Sequence, residues 1–595
     1  MEGNALVSRM VVTRVRVCDA SSTARRRRPC FSSSTSSERK QKASSFRAQH
    51  VTNAATKDDA LRDLKSLPDQ LSKWAKRVLE SPPPNFPPGP EGDVAVELGA
   101  DPLKFLEKTQ HDFGDVVGLK LAGERCVLVS SPTVAKDVLI DRAELFVKEG
   151  TAFFPGSSLA GEGLLVSDGD TWKRQRRLSN PAFRKAAVDT YCASMARNGA
   201  ELLTRQWSTR SLRDAYSDFN DLTLTIVAES LFGADIQGSR GKLINNSIKK
   251  AFEFFGKRSS TGFIVPEWVP TGDNLEYNSA VAELDEAVYA LIADRRAKRV
   301  DNSGNVGGAS ERSKDKNTPR VKWDASKKDW VDVPTDGNTD NTSTDSCDAY
   351  QPDLLDRLLD AVDEEGDGSG MDDKSLRDEL MTLMVAGQET SAILLSWVCS
   401  YLAQNPEVAA KCRVEADEVF GGDCTTTLPS FANYTDLKYC QAVVYETMRL
   451  APPAYMVGRC CAEDINNVGG YDLPKGTTVL IAPYLLHKDP RHWSNVDRFD
   501  PERWLQLDPE TKDLVSKSAL KGMGPNGAYT PFGAGPRNCI GTGFAMMEGT
   551  VLLAMISQSV DLRLKPGSEP PKPKALITLR PEPFELDVVP RRNRK

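Results

Sequence analysis

Pro531-Phe532-Gly533-Ala534-Gly535-Pro536-Arg537-Asn538-Cys539-Ile540-Gly541 is the stretch that decides the fold, and it immediately precedes an apolar run at helical spacing. Glycine tolerates positive φ and lets other groups approach the backbone closely. The three glycines therefore predict a tight loop that presents Cys539, with backbone N–H groups turned toward its sulfur. Arg537 adds a cation on the same side of an extended segment. A thiolate is a soft metal ligand, and nearby positive charge and N–H donors favour its ionised form. The loop thus predicts a metal-binding thiolate, and the alternative is a buried structural cysteine in a turn.

The residues from Phe532 to Gly541 spell F-x-x-G-x-R-x-C-x-G without a mismatch. This pattern resembles the haem-thiolate loop of the cytochromes P450. The resemblance implies that Cys539 is the axial ligand of the iron of haem b, and that Phe532 and Arg537 contact the haem. It also implies the fold of that family, with a long central helix over the haem and the cysteine loop beneath it.

The composition excludes several other classes of protein. The chain has 595 residues and no evident repeat. Its length is compatible with three or four domains and equally with one large domain that carries appendages. Its 12 cysteines are scattered, which indicates reduced, buried thiols, and its 4 histidines are too few for a di-iron oxygenase built from paired-histidine motifs. The net charge is −6, and because residues 1–50 carry +8, the remainder carries −14. Such an acidic body argues against nucleic acid as a partner.

The first 94 residues differ in character from the rest of the chain. Residues 1–50 are basic, rich in serine and poor in acids, which is typical of an organelle transit peptide. Their serine content favours a plastid over a mitochondrion, and the alternative is a disordered basic tail of another purpose. No apolar run there reaches the roughly 20 residues of a membrane span. Residues 51–94 predict an amphipathic helix at 57–80, which packs on the body or contacts a membrane surface, and then a stiff proline-rich hinge at 81–90.

Residues 95–595 are predicted to form one domain that is mainly α with small β-sheets. Residues 301–350 are crowded with polar groups and glycine, and they predict a disordered insertion in that domain. Strands are predicted at Val116–Leu121, Arg125–Ser130, Val457–Cys461 and Thr477–Ile481. Helices are predicted at Asp101–His111, Pro132–Asp141, Gly169–Ser179, Ala187–Trp207, Leu222–Phe232, Glu276–Lys298, Asp353–Asp363, Leu376–Ala403, Asn405–Phe420, Leu437–Leu450 and after Cys539.

The longest predicted helix carries Met384-Val385-Ala386-Gly387-Gln388-Glu389-Thr390-Ser391. Glycine inside a helix costs about 1 kcal/mol relative to alanine, so Gly387 predicts that a ligand approaches the helix or that its hydrogen-bond ladder opens. The alternative is a solvated Glu389 beside a Thr390 that bonds back to its own helix. The string resembles the oxygen-activation motif of the cytochromes P450, A-G-x-[DE]-T. That resemblance implies that Thr390 contacts dioxygen and that Glu389 belongs to a proton relay. A carboxyl group and a hydroxyl group suit proton delivery, because each can both donate and accept a hydrogen bond.

The helix at 437–450 places Glu446 and Arg449 at i, i+3, where they can pair. An exposed ion pair is the ordinary reading of such spacing. Together with Pro501-Glu502-Arg503-Trp504, however, the pattern resembles the core triad of the cytochromes P450. The resemblance implies that Glu446, Arg449 and Arg503 form a buried structural network behind the cysteine loop.

A basic helix carries Trp172 and Arg176 on one face at i, i+4. An indole N–H held beside a guanidinium suits an anionic ligand edge, and a solvated basic helix is the alternative. The element resembles the W-x-x-x-R segment of the cytochromes P450. The resemblance implies that Trp172 and Arg176, with Arg459 and Arg537, hold the haem propionates.

Two further features of the sequence carry hypotheses. Arg174 and Arg177, on the same basic helix, are hypothesised to form a docking face for an acidic electron carrier. His487 lies in a string typical of the family and is assigned a structural or haem-edge contact, not catalysis.

The resemblance implies a haem-thiolate monooxygenase that inserts one oxygen atom of dioxygen into an apolar substrate. No glycine-rich nucleotide-binding pattern follows Cys539, so NADPH-derived electrons are expected from an external donor, ferredoxin or a P450 reductase. The run Leu376–Met384 and the transit-like N-terminus resemble the plastid carotene-hydroxylase branch, which favours ring hydroxylation of a carotenoid. Fatty-acid hydroxylation or epoxidation is the alternative, and an oxygen-independent enzyme that rearranges hydroperoxides is the second.

Overall fold

The computed structural model describes residues 83–591, apart from 149–157, 234–242, 245, 249, 252–253, 255–268, 270, 304–319, 325–328, 334–351 and 509–512. The predicted transit-like segment and the amphipathic helix at 57–80 lie outside the described residues and stay predictions. Most of the predicted proline-rich hinge is described, and it lies against the body of the protein. There the Gly118 N–H donates to Pro88 O at 2.9 Å.

Helices make up most of the described structure, which confirms the predicted mainly α fold. The helices are α1 (Ala95–Ala100), α2 (Pro102–Phe113), α3 (Pro132–Lys136), α4 (Gly169–Ser179), α5 (Lys185–Glu201), α6 (Ala215–Phe232), α7 (Gly272–Ser303), α8 (Leu354–Asp360), α9 (Asp373–Gln404), α10 (Pro406–Phe420), α11 (Phe431–Asp436), α12 (Lys438–Leu450), α13 (Pro483–His487) and α14 (Thr542–Ser559).

The strands are short and form small sheets. They are β1 (Val116–Leu121), β2 (Glu124–Val129), β3 (Phe146–Val147), β4 (Ser211–Asp214), β5 (Arg320–Asp324), β6 (Asp329–Val333), β7 (Val457–Cys461), β8 (Ile465–Val468), β9 (Tyr471–Leu473), β10 (Thr478–Ile481), β11 (Val560–Leu564), β12 (Pro573–Ala575), β13 (Leu579–Pro581) and β14 (Glu585–Pro590). One sheet has the order β1-β2-β10-β7-β3 and a second has the order β11-β14-β4, while β12-β13, β5-β6 and β8-β9 form separate pairs. The β2-β10 pairing is parallel, and the other described pairings are antiparallel.

The long helix α9 lies in the middle of the helical layers. It begins where the Asp372 carboxylate caps the Ser375 N–H at 2.7 Å. It ends at Asn405, because the following Pro406 removes a backbone donor and restricts the residue before it. Along most of its 32 residues its side chains are buried, including Leu380, Leu395 and Val398. Polar groups such as Arg377, Asp378 and Glu389 are buried among them.

Several predicted boundaries differ from the structure for local reasons. The helix predicted at Leu222–Phe232 begins at Ala215, where the Asp214 carboxylate caps the Ser217 N–H. The helix predicted to reach Asp363 ends at Asp360, before a turn with Gly368 at φ 71°. The last residues predicted for the helix at Pro132–Asp141 form a wider π-type turn after α3.

The predicted disordered insertion at 301–350 is only partly described. Its first residues, to Ser303, belong to the end of α7. Within the segment β5 and β6 pair in antiparallel register, with Trp323 opposite Trp330. The remainder lies outside the described residues, so disorder there stays a prediction.

Candidate functional site

A cavity of about 770 Å³ lies between α9 and the loop that carries Cys539. On one side it is lined by Ala386, Gly387, Thr390 and Ser391 of α9. On the opposite side it is lined by residues 531–533 and 537–541. The structure thus brings two sequence motifs, separated by about 150 residues of chain, to opposite walls of one space.

The cysteine loop is shaped by its glycines, as the sequence predicts. Gly533 and Gly535 have φ of 70° and 71°, a conformation that side chains other than hydrogen rarely adopt. A Cβ on Gly535 would lie 1.9 Å from Leu139 O, so the loop also needs glycine there for packing. The Cys539 N–H donates to Phe532 O at 2.9 Å and closes the loop. These contacts direct Cys539 toward the cavity.

Cys539 alone among the nine described cysteines has an exposed side chain, and the described cysteines form no disulfide. It lines the cavity, whereas the other eight described cysteines do not. Burial raises the pKa of the thiol, and the Gly541 N–H and the charge of Arg176 oppose that shift. These neighbours favour the thiolate, as predicted, but burial raises the pKa of the thiol by more than they lower it. A metal ion in the cavity would favour the thiolate, because a coordinating thiol loses its proton.

A group of four cations lines the cavity beside the cysteine loop: Lys148, Arg176, Arg459 and Arg537. Arg176 and Arg459 are buried, and Lys148 and Arg537 are partly buried. Arg176 donates to Asn538 O and Oδ1, both at 2.8 Å. Arg459 donates to Gly458 O at 2.8 Å, and Arg537 donates to Ser167 O at 3.0 Å and pairs with Asp168. The structure therefore brings together the cations that the sequence analysis selected.

The predicted indole also lies in this group. Trp172 lines the cavity, and the Arg537 guanidinium lies over its ring at 4.3 Å from the centroid. A cation held over an indole face is stabilised by the ring quadrupole. Trp172 thus fixes Arg537 as well as bounding the cavity.

Lys148 is a member of this group that sequence reasoning missed. Its ammonium donates to Leu165 O at 2.8 Å, and its backbone N–H donates to Asp168 Oδ2 at 2.8 Å. It follows the two-residue strand β3 in a stretch without a motif. No pattern in the sequence marked it, because only the fold brings β3 beside the cysteine loop.

The charges of this group fit an anionic ligand such as the carboxylates of haem. Burial, with repulsion from Arg537, lowers the pKa of Arg459 to about 10, and burial lowers the pKa of Arg176 to about 10. Burial also lowers the pKa of Lys148, and the nearby guanidinium groups add to that shift. Asp168 pairs with Arg537 and accepts from the Lys148 N–H, and Glu379, whose pKa is raised to about 8 by burial, lies near Arg176. A ligand with two carboxylates would relieve this excess of positive charge.

The α9 residues of the predicted oxygen motif point in different directions. Thr390 lines the cavity, and its hydroxyl donates to Ala386 O at 2.6 Å. The carboxylate of Glu389 accepts from Arg580 Nε at 2.7 Å and from Thr578 Oγ1 at 2.8 Å, in a direction away from the cavity lining. Thr390 therefore bonds back to its own helix, as the alternative interpretation predicts. Glu389 is not solvated, because that residue is only 7% exposed.

Gly387 has a packing reason as well as a cavity-lining position. A Cβ there would lie 2.9 Å from Val227 Cγ2, so glycine lets α6 pack closely on α9. The helix is continuous through this position. The hypothesis that Gly387 opens the helical hydrogen-bond ladder is therefore wrong for this structure.

Glu446, Arg449 and Arg503 meet in a buried network. Arg449 donates to both carboxylate oxygens of Glu446 at 3.0 and 2.9 Å, and Arg503 Nε donates to Glu446 Oε1 at 3.1 Å. The Trp504 indole N–H adds a fourth contact at 3.0 Å. Glu446 and Arg449 are fully buried, so the reading as an exposed ion pair is wrong.

His487 lies behind this network and not in the cavity lining. Its Nε2 accepts from the Thr530 N–H at 2.8 Å, so its Nδ1 carries the proton and donates to Met448 O at 3.2 Å. These bonds join α12 and α13 to the segment that leads into the cysteine loop. The structural role assigned to His487 therefore agrees with its contacts.

Arg174 and Arg177 are engaged within the chain. Arg177 donates to both carboxylate oxygens of Asp363 at 2.8 Å, and Arg174 donates to Ser369 Oγ and Gly370 O. An acidic turn thus neutralises both guanidinium groups. This arrangement argues against the hypothesis that the two arginines form a docking face for an acidic carrier.

Comparisons with known proteins agree with this geometry. The family model described as Cytochrome P450 matches residues 83–588. "Cyclooctatin synthase" of Streptomyces melanosporofaciens is 30% identical over 490 residues, which cover 82% of this chain and 91% of that protein. "Protein LUTEIN DEFICIENT 5, chloroplastic" of Arabidopsis thaliana is 27% identical over 546 residues, 85% of this chain and 79% of that protein. The crystal structure of the heme domain of a cytochrome P450DA mutant matches with a TM-score of 0.65 and 22% identity, covering 85% and 98% of the two chains.

Proposed function

Because the chain belongs to the cytochrome P450 family, we propose that Cys539 is the axial ligand of its haem iron and that the enzyme hydroxylates the ring of a carotenoid in a plastid. The enzyme is a cytochrome P450 monooxygenase that uses haem with a cysteine-ligated iron and an external electron donor. The observation that carries the assignment of Cys539 is its position. Its side chain is exposed and lines the cavity, whose lining also includes Thr390 and the four cations.

The residues that would hold haem are those that line the two faces and the edge of the cavity. Cys539 would ligate the iron, and Phe532 would bound the same face. Arg176, Arg459, Arg537 and Lys148 would bind the carboxylates, with Trp172 holding Arg537 in place. Bound in this way, thiolate-ligated haem supplies the reductive cleavage of dioxygen, with two electrons and two protons, so that one oxygen atom enters the substrate and the other leaves as water.

Thr390 would direct a proton from the α9 side of the cavity. Its hydroxyl both donates and accepts, and rotation away from Ala386 O turns the donor into the cavity. Glu389 would supply that proton only indirectly. Its carboxylate is held by Arg580 and Thr578 in the structure, so it must leave them, or pass the proton through a water, to reach the cavity.

The apolar lining supports a hydrocarbon substrate. The cavity lining also includes apolar side chains, namely Leu164, Leu165, Leu383, Met456, Leu576 and Ile577, and such walls give favourable burial to an apolar ring. The name of one relative refers to lutein, which is a carotenoid, and places that protein in the chloroplast. The resemblance of Leu376–Met384 to the plastid branch points the same way.

A plastid enzyme of this kind would receive its electrons from ferredoxin and a ferredoxin reductase, with a P450 reductase as the alternative. In the part of the chain that the structure describes, none of the helices is long and apolar enough to cross a membrane.

The test is turnover of the purified haem protein with ferredoxin, its reductase and NADPH, on a panel of carotenoids and long-chain fatty acids. The proposal expects a hydroxylated carotenoid ring whose added oxygen comes from dioxygen, shown by isotope labelling. Product only from fatty acids would replace it with the fatty-acid hydroxylase or epoxidase that is the alternative. Conversion of a fatty-acid hydroperoxide without NADPH would instead identify the rearranging enzyme.

A further inference from the structure

The segment 158–168, hereafter the wall loop, forms one side of the cavity. Leu164 and Leu165 line the cavity directly. At its end, Ser167 O accepts from Arg537, and Asp168 pairs with the same guanidinium. Any displacement of the wall loop would therefore change the space available to a ligand.

Two glycines let the wall loop lie directly on α9. A Cβ on Gly163 would lie 2.1 Å from Thr382 Oγ1 and 2.5 Å from Asp378 O. A Cβ on Gly161, which has φ 55°, would lie 2.1 Å from Asp378 Oδ1. Real Cβ atoms do not approach other heavy atoms so closely, because packed interiors leave no such overlap. Glycine at both positions is thus a condition for this contact.

Side chains of α9 fix the backbone of the wall loop in this position. Arg377 donates to Leu159 O at 3.0 Å and to Ser158 O at 3.1 Å, and the Asp378 carboxylate accepts from the Glu162 N–H at 3.0 Å. The Thr382 hydroxyl donates to Ala160 O at 3.4 Å. Three successive carbonyl groups and one N–H group of the wall loop are therefore bound by three residues within two turns of one helix.

The charges of this contact are balanced inside the protein. Arg377 Nε donates to Asp285 of α7 at 2.6 Å, and its Nη1 donates to Asp378 at 2.9 Å. Lys374 donates to Asp378 at 2.9 Å and to Glu162 of the wall loop at 2.7 Å. Arg377 and Asp378 are about 95% buried, with side chains 5% and 4% exposed. Buried charges persist where they are paired and hydrogen-bonded, so the network holds one arrangement of the wall loop.

We propose that Arg377 and Asp378 are positioning residues that fix the wall loop on α9 and thereby limit the size of the ligand that the cavity admits. The run Leu376–Met384, which the proposed oxygen chemistry does not use, thus has a role of its own. The inference rests on family membership and on haem binding, and it is independent of which substrate the enzyme oxidises.

The principal test variant is Gly163→Ala, which adds volume at the contact and removes no charge. Gly422→Ala is the matched control, because a Cβ there meets no atom within 4 Å. Both haem-loaded proteins are titrated with imidazole and with a bulky aryl-imidazole, whose neutral nitrogen ligates haem iron, and the optical shift reports binding. Amide hydrogen exchange of residues 158–168 is measured on the same proteins.

The expected result for Gly163→Ala is faster amide exchange in the wall loop and a shift in relative affinity toward the bulky azole. A shift of about fivefold corresponds to the loss of about one net hydrogen bond. Gly422→Ala should match the parent protein in both measurements. An unchanged affinity ratio despite faster exchange, or unchanged exchange in a protein that binds haem normally, would overturn the proposal.

Arg377→Lys provides a second variant in case Gly163→Ala fails to load haem. Lysine keeps the positive charge between Asp285 and Asp378 but lacks the planar fork that reaches two carbonyl groups at once. It should give the same direction of change in both measurements. Because neither measurement involves a carotenoid or turnover, failure here is distinguishable from failure of the proposed substrate.

Discussion

Thr390 and Glu389 are neighbours in sequence, but their side chains serve different contacts. Thr390 lines the cavity and bonds to its own helix, while Glu389 is paired with Arg580. Arg580 belongs to β13, and Thr578 lies in the turn just before it. That turn also contributes Leu576 and Ile577 to the cavity lining. Glu389 therefore ties the turn to α9, in addition to any part it takes in moving protons.

Replacing Thr390 with valine tests the assignment of its hydroxyl. The variant keeps the shape of the side chain and should bind haem and substrate normally. It should lower the rate of product formation roughly 10²-fold, the lower end of what a positioned proton donor contributes, while NADPH consumption continues. The measurement is product formed per NADPH oxidised.

Thr390→Ser is the matched control, because it retains the hydroxyl and should restore most of the coupling between NADPH oxidation and product. Equal coupling in Thr390→Val and the parent protein would show that the hydroxyl only bonds to its own helix.

Cys539 has an equally direct test at the residue scale. Cys539→Ser should abolish the carbon-monoxide difference spectrum typical of reduced thiolate-ligated haem, because an alcohol is a far weaker ligand for iron than a thiolate. Cys424→Ser changes a buried thiol outside the cavity lining and should keep that spectrum. A thiolate-type spectrum in Cys539→Ser would place the iron on another residue.

At the scale of elements, α12 and the 3₁₀ turn Pro501–Leu505 are joined through one carboxylate. Glu446 accepts from Arg449, Arg503 and Trp504, and also from the Asp500 N–H at 3.0 Å. Arg449 in turn donates to His487 O and Val496 O at 3.0 and 2.8 Å. The network therefore fixes the irregular chain that precedes the cysteine loop.

Removing either partner of this pair should prevent stable folding or haem loading. Glu446→Ala and Arg449→Ala each leave an uncompensated buried charge, which costs roughly 3–5 kcal/mol. We expect haem-free or aggregated protein, measured as the ratio of haem absorbance to protein absorbance after purification.

Glu502→Ala provides the comparison, because it breaks the partly exposed ion pair with Lys411 close to the same network. Such pairs contribute about 0–1 kcal/mol, so haem content should stay normal. Normal haem content and a normal spectrum in both Glu446→Ala and Arg449→Ala would contradict a structural role for the network.

The elements were predictable from sequence to different degrees. Strand β1 and helix α4 have the predicted bounds, because β1 is a short, mostly buried run that ends at a turn containing Gly123 and α4 carries helical periodicity. Strands β8 and β9 and helix α13 were missed, because each is only three to five residues long. In such short segments no period repeats often enough to be read, and tertiary contacts fix the conformation.

At the scale of the whole molecule, the cavity is assembled from segments scattered along the chain. The motif residues Trp172, Thr390, Arg459 and Cys539 could be predicted, because each belongs to a pattern that resembles a known family. Lys148 and the contact of Arg377 with the wall loop could not. Their function depends on which backbone groups the fold brings near them, and a single sequence carries no record of those distances.

His487 links local contacts to the stability of the whole domain. Burial lowers its pKa to about 3 in the folded protein, and the positive charge of Arg449 adds to the shift. Its ring also packs on Tyr529 at a centroid distance of 4.9 Å. Protonation would add a proton at Nε2, where the Thr530 N–H already points at the ring. The folded state therefore holds a neutral imidazole.

Folding stability depends on pH because His487 has a different pKa in the folded and the unfolded protein. The unfolded chain binds a proton below about 6.5, whereas folded His487 binds one only near 3. The stabilisation by neutral His487 is thus complete above about pH 6.5 and decreases as the pH falls toward 3. The loss is about 1.4 kcal/mol for each pH unit in that window. The contribution of His487 to the stability of the haem-loaded protein should accordingly decrease as the pH falls from 7.5 to 5.

His487→Gln separates this effect from the other titrating groups. Glutamine offers one donor and one acceptor for Met448 O and the Thr530 N–H but does not titrate, so lowering the pH from 7.5 to 5 should lower the urea midpoint of the parent protein relative to that of the variant. Burial raises the pKa values of Glu379 and Glu548 to about 8. Both carboxyl groups remain in the variant, so their opposite contribution cancels in the difference between the parent protein and the variant.

His111→Gln is the control, because it changes an exposed imidazole and should follow the parent protein. Parallel pH profiles for the parent protein and His487→Gln would mean that His487 is not held neutral by the fold.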